Sequence, residues 1–151
     1  MKTLAHPDDK AEIFERLHRV RSDSVRRWGV MSAPQMICHL ADASRMAIGE
    51  KPVSPITGWR SGRLVKWVAL YAPLPWPTGI LTRPEIDQRY GGTCPGDFAV
   101  DLAEAERLLE IVATQASSAW PAHPIFGRMS ARDWLRWGYL HTDHHLRQFG
   151  V

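Results

Sequence analysis

A chain of 151 residues fits one domain of ordinary size, and 44% hydrophobic with 23% charged residues is the composition of a globular protein. That excludes a disordered or low-complexity chain, whose apolar content is too low to offset the entropy of ordering. The net charge is only +3, and its 15 arginines among 19 basic residues form no stripe, which argues against a nucleic-acid partner. Two counts stand out: seven histidines and seven tryptophans.

Cys38 and Cys94 are too few for a disulfide framework, and residues 1–9 carry no signal-peptide pattern. The most apolar run, 64–76, is interrupted by Lys66, Pro73 and Pro75. It is shorter than the roughly 20 residues a membrane span needs. The expectation is a reduced cytoplasmic protein with no membrane partner.

Apolar spacing predicts four helices. The first covers 7–28, with Pro7 in its first turn and Ile13, Leu17, Val20 and Ser24 on one face. The second begins at Ser32, where Ser32 and Gln35 have the spacing of a capping box, and Gly49 ends it as a left-handed cap. The third covers 97–119, with Phe98, Leu102, Ala105, Leu109, Val112 and Ala116 in a stripe before Pro121. The fourth starts at Ser130, where Asp133 completes a box as Gln35 does.

Residues 50–96 are a different kind of sequence, rich in proline and glycine, with a short helix predicted over 60–70. Connections longer than ~12–15 residues are uncommon in compact domains and usually functional. Trp59, Trp67, Tyr71 and Trp76 predict that this one packs onto the helices. The expected architecture is all-α, one domain over 1–151. It is a four-helix bundle running up-down-down-up, with the long Pro/Gly-rich crossover between the second and third helices.

Three histidines, His141, His144 and His145, fall within five residues. On a helix, His141 and His145 lie one turn apart on one face and can offer two imidazoles to one metal ion. His144 is rotated about 100° from His145 and at best flanks the site. A site usually needs a third protein ligand. His39 supplies it: Met36, Ala43 and Met46 on its face are apolar, so its ring points inward. His39 is ~10 Å from the start of its helix, and the His141/His145 midpoint is a similar distance from the end of the fourth. The three meet if these helices are antiparallel and flush. A hydrogen-bonded core histidine is the bland alternative for His39, as a surface cluster is for the pair. His6, His18 and His123 lack such context and read as surface or loop residues.

Cys38-His39-Leu40-Ala41-Asp42, followed downstream by His141-Thr142-Asp143-His144-His145 and Gln148, resembles the DinB/YfiT-like superfamily, in a short branch of unknown function. The resemblance implies a four-helix bundle with a long second connection. It also implies a divalent metal, zinc or nickel foremost with iron or manganese as alternatives, on His39, His141 and His145. Relatives often carry a second histidine where this chain has Cys38, and the sequence of the 50–96 crossover gives no match to theirs, so the resemblance implies nothing about the choice of substrate.

Three neutral imidazoles leave an open coordination position and an uncompensated double charge, which acidifies a bound thiol or water. Some superfamily members are thiol transferases. The leading expectation is therefore a thiol S-transferase that joins a low-molecular-weight thiol to an electrophilic small molecule. The alternatives are a metal-dependent hydrolase, and a non-catalytic metal-binding module that dimerises through its aromatic surface. Asp42, one turn from His39, and Asp143, beside the pair, are candidates to orient a ligand or act as base. A solvated carboxylate is the plain alternative for Asp143. Gln148 can hydrogen-bond near the site, Gly138 leaves room beneath the metal, and Trp134 packs in the core, with lining a pocket as its alternative. Cys94 lies in a turn without a neighbouring histidine to activate it.

Overall fold

The computed structural model describes residues 1–56, 58, 62–115 and 120–151. Among these residues five α-helices follow one another: α1 (Pro7–His18), α2 (Ala33–Ile48), α3 (Arg63–Tyr71), α4 (Phe98–Thr114) and α5 (Ala131–Gln148). A 3-10 turn, Pro84–Ile86, lies between α3 and α4. Among the described residues there is no strand, only an isolated bridge between His123 and Gly127. None of the described helices is long and apolar enough to cross a membrane.

The capping signals decide where α2, α4 and α5 begin. Ser32 accepts the Gln35 amide while the Gln35 side chain accepts from the Ser32 amide, and Ser130 and Asp133 repeat the arrangement on α5. Asp97 caps α4 through the amides of Ala99 and Val100. Gly49 ends α2 at φ 85°, a left-handed backbone that only glycine adopts readily.

α1 is shorter than expected and stops at His18, not near residue 28. The Ser24 hydroxyl accepts the Arg21 amide, and the Ser24 amide donates to the Arg21 carbonyl. Serine and aspartate side chains compete for backbone groups in this way, and here the turn wins over a further helical turn. Val20 still reaches the core, 3% exposed, from outside the helix. The C-terminal part of the third predicted helix, including Ala116, lies outside the described residues, as do Trp59 and Arg60 of the crossover.

α2 is buried on most of its circumference, from Met36 through Ala47, and packs chiefly on α4. α5 touches α1, α2, α3 and α4. Trp134, fully buried, stacks on Trp120 and meets Trp137 edge-on, so its role is core packing, as expected. The crossover packs in part. Tyr71 donates to Asp133 at 2.5 Å, Arg136 donates to the Leu70 carbonyl, and the Trp76 indole donates to the Ala69 carbonyl. The first two of these bonds seat α3 against α5. Trp67, in contrast, is 59% exposed.

Candidate metal centre

His39, near the middle of α2, meets His141 and His145, on one face of α5. One ring nitrogen from each lies within 4.8 Å of the others. His39 and His145 are buried and His141 is half-buried. Ring centroids are 5.1 Å apart for His39–His141 and 4.8 Å for each of the other pairs. The Nε2 atoms of His39 and His141 stand 3.2 Å apart. Two nitrogens on a tetrahedral ion, each ~2.0–2.1 Å from it, are about 3.3–3.4 Å apart, so this edge already has nearly the right length.

Two of the rings have a fixed tautomer. His39 Nδ1 lies 2.9 Å from the Ile86 carbonyl oxygen, which can only accept, so Nδ1 carries the proton and Nε2 a lone pair. His145 is fixed through a relay. The Gln148 amide nitrogen donates to the Trp28 carbonyl at 2.9 Å, which turns Gln148 Oε1 toward His145 Nδ1, also at 2.9 Å. His145 therefore donates from Nδ1 and presents a bare Nε2. Gly29 makes the relay possible: it has φ +76°, and a Cβ there would fall 2.5 Å from the Gln148 amide nitrogen. His141 is held differently, its ring stacked on Trp137 at 4.8 Å and 15°.

Burial lowers the basicity of all three rings, most strongly for His141 and His145, whose neighbouring imidazoles lower it further. For His39 the Ile86 carbonyl and the charge of Asp42 oppose burial without reversing it. Three neutral imidazoles, two of them with a bare Nε2 turned toward the common centre, make a donor set that suits a borderline divalent ion. These residues fit a resident metal.

The two candidate carboxylates have other partners. Asp42, fully buried, accepts from the Thr93 amide and hydroxyl at 2.7 Å each and from Gln88 at 3.2 Å, with Lys51 at 3.0 Å. Asp143 pairs with Arg16 of α1 at 2.8 Å and with Arg147 at 2.9 Å. Among the described residues, the rings of His39 and His145 bond to the Ile86 carbonyl and to Gln148, and neither carboxylate bonds to a ring of the triad.

Two further residues differ from expectation. Gly138 makes room for Leu4, not for a metal: a Cβ there would fall 2.7 Å from Leu4 Cδ1. His123 is in a loop but is 5% exposed, stacked on Phe126 and flanked by Trp134 and Trp137. Its Nδ1 accepts the amides of Ile125 and Phe126, and burial pushes its pKa down to about 3. Cys38, buried beside the triad helix's Asp42 and near Asp101, is pushed up to about 12 by burial and then by Asp101, so it stays a thiol. Trp137 was the residue that sequence reasoning passed over. Its signal was present, since Trp137, His141 and His145 recur every four positions along one face.

Residues 77–150 are similar to a family described as "Protein of unknown function (DUF1569)". The matched stretch includes Ile86, His141, His145 and Gln148 and leaves His39 outside. No curated protein and no solved structure matches the chain.

Proposed function

We propose that this chain is a divalent-metal protein of the DinB-like type, with His39, His141 and His145 as ligands, and that it acts as a thiol S-transferase. The observation that carries the metal reading is the convergence of the three ring nitrogens within 4.8 Å, with the His39 and His145 tautomers already set to present Nε2. In this reading α1, α2, α4 and α5 are the four members of an up-down-down-up bundle and α3 rides on the crossover. The packing of α2 on α4 and of α1 on α5 supports that arrangement.

When bound, a divalent ion supplies uncompensated positive charge that holds a thiol as thiolate near neutral pH. The chain's own residues keep the three rings neutral by burial and aim them through Ile86 and Gln148. A small thiol and an electrophile are the reactants this arrangement favours.

Elemental analysis of tag-free protein tests the first half. The wild type should carry about one divalent ion per chain, and His39→Ala and His141→Ala should carry almost none. Equal content in all three would defeat the metal reading. A bimane electrophile tests the second half: conjugation should require both metal and an added thiol such as glutathione, bacillithiol or mycothiol. Metal without thiol-dependent turnover would leave the metal and remove the transferase.

A further inference from the structure

The triad is not equally buried on all sides. Trp137, 5% exposed, covers one face of His141, and the rings of His39 and His145 are buried. Solvent therefore reaches the site past the half-buried His141 and the half-buried rings beside it: Trp76, Trp28 and His144. Trp76 stands 6.3 Å from His141 and 6.0 Å from His144, centroid to centroid. Trp28 stands 6.0 Å from His144, which is itself 5.3 Å from His145. These three rings come from three separate parts of the chain, the turn before α2, the crossover and α5.

The Trp76 indole and the Trp28 backbone are anchored. The Trp76 N–H is spent on the Ala69 carbonyl, so it offers ring surface to the opening and no donor. Trp28 is held through its carbonyl by Gln148, and the Arg27 amide beside it donates to the Gln148 carbonyl at 2.7 Å. The nearest carboxylate on α5, Asp143, is occupied by Arg16 and Arg147. The opening therefore consists of π surface above a cationic floor once a metal is bound. That combination suits a ligand with an anionic donor atom carried on a flat, unsaturated frame, because aromatic faces reward planar partners beyond simple area burial.

We propose that Trp28, Trp76 and His144 form an aromatic mouth over the three-histidine site that favours thiolate ligands with a flat, unsaturated group next to the donor sulfur over equally bulky saturated ones. The proposal rests on the metal reading above. The selection acts on binding: the thiol would give up its S–H proton to solvent as its sulfur binds the metal, and no carbon–sulfur bond is made or broken.

The test uses the full chain loaded with cobalt(II), whose thiolate charge-transfer absorption reports ligand binding. Benzyl mercaptan and cyclohexylmethanethiol present similar thiols and similar bulk, one flat and one puckered. The wild type should bind benzyl mercaptan about three- to tenfold more tightly. Trp28→Leu and Trp76→Leu, which keep apolar bulk and remove the flat surface, should each reduce that preference while cobalt content stays at the wild-type level. Equal affinity for the two thiols in cobalt-loaded wild type overturns the mouth and leaves the metal reading standing. So does a preference that survives in the double variant. Failure of the wild type to take up cobalt overturns both.

Discussion

The helices and the connections divide the site between them. α2 and α5 place three imidazoles at one level, and helical spacing alone brings His141 and His145 to one face. What holds those imidazoles comes largely from outside the helices. The Ile86 carbonyl of the crossover fixes His39, and the Trp28 carbonyl of the α1–α2 turn fixes His145 through Gln148. Asp42 then ties the crossover back to α2 through Thr93 and Gln88, one helical turn from His39. Helical register sets position, and the connections set orientation and tautomer. A site built this way loses function when a loop detaches, even with every helix intact.

The largest predicted effect breaks that link at Asp42. Asp42→Ala leaves Lys51 and the Thr93 amide and hydroxyl without their buried acceptor. Removing one member of a buried charged group is destabilising by about 3–5 kcal/mol. Urea unfolding should show that loss, and limited proteolysis should cut within residues 88–96 before it cuts α2. Simultaneous cleavage of helix and crossover would mean the two regions are not separable in this way.

Next comes a loop residue that behaves like core. His123 has a pKa near 3 in the folded chain because it is buried, against an ordinary value of 6.5. Between those values the unfolded chain binds the extra proton, so the stability is complete above about pH 6.5 and is lost as pH falls through the window. His123→Asn keeps an acceptor for the Ile125 and Phe126 amides and removes the titration. The difference in unfolding free energy between pH 7 and pH 4 should shrink by about 3 kcal/mol. An unchanged acid profile would place the acid sensitivity in the triad instead.

Gln148→Ala tests orientation without touching a ligand. Outer partners of ligating histidines are worth about 10–100-fold in metal affinity. Competition against a chromophoric chelator should show a loss in that range, with α5 still folded by circular dichroism. Gln148→Glu, which retains an acceptor for His145 Nδ1 but cannot donate to the Trp28 carbonyl, should recover only part of it. Wild-type affinity in Gln148→Ala would show that the relay from Trp28 has no hold on the ring.

These contrasts also explain what the sequence made legible. His39, His141 and His145 were readable because side-chain identity and helical spacing carry the information, and the boxes at Ser32 and Ser130 marked where the register starts. The Ile86 partner was not readable, since a backbone carbonyl has no residue type to betray it. Gly29 gave no warning either, because its use depends on Gln148 arriving from 119 positions away. His123 was misread as ordinary loop because its burial comes from tryptophans on another element. The early stop of α1 was written locally, in Ser24, but apolar spacing outweighed it.

The smallest effect separates packing from metal geometry at Gly138. Replacing a mid-helix glycine by alanine gains about 1 kcal/mol of helix propensity. The new Cβ would fall 2.7 Å from Leu4 Cδ1, the movable end of a side chain that is 2% exposed, so Leu4 must shift in a filled core. The two terms oppose each other, and Gly138→Ala should change stability by less than about 1 kcal/mol. Its metal content should equal that of the wild type, since the methyl group meets Leu4 and not the triad. The background decides the sign. In Leu4→Ala, which opens a cavity and costs about 2–5 kcal/mol alone, the same substitution should be stabilising because the clash is gone and the propensity gain remains. If Gly138→Ala instead strips the metal while stability holds, the glycine serves the centre and the Leu4 contact is incidental.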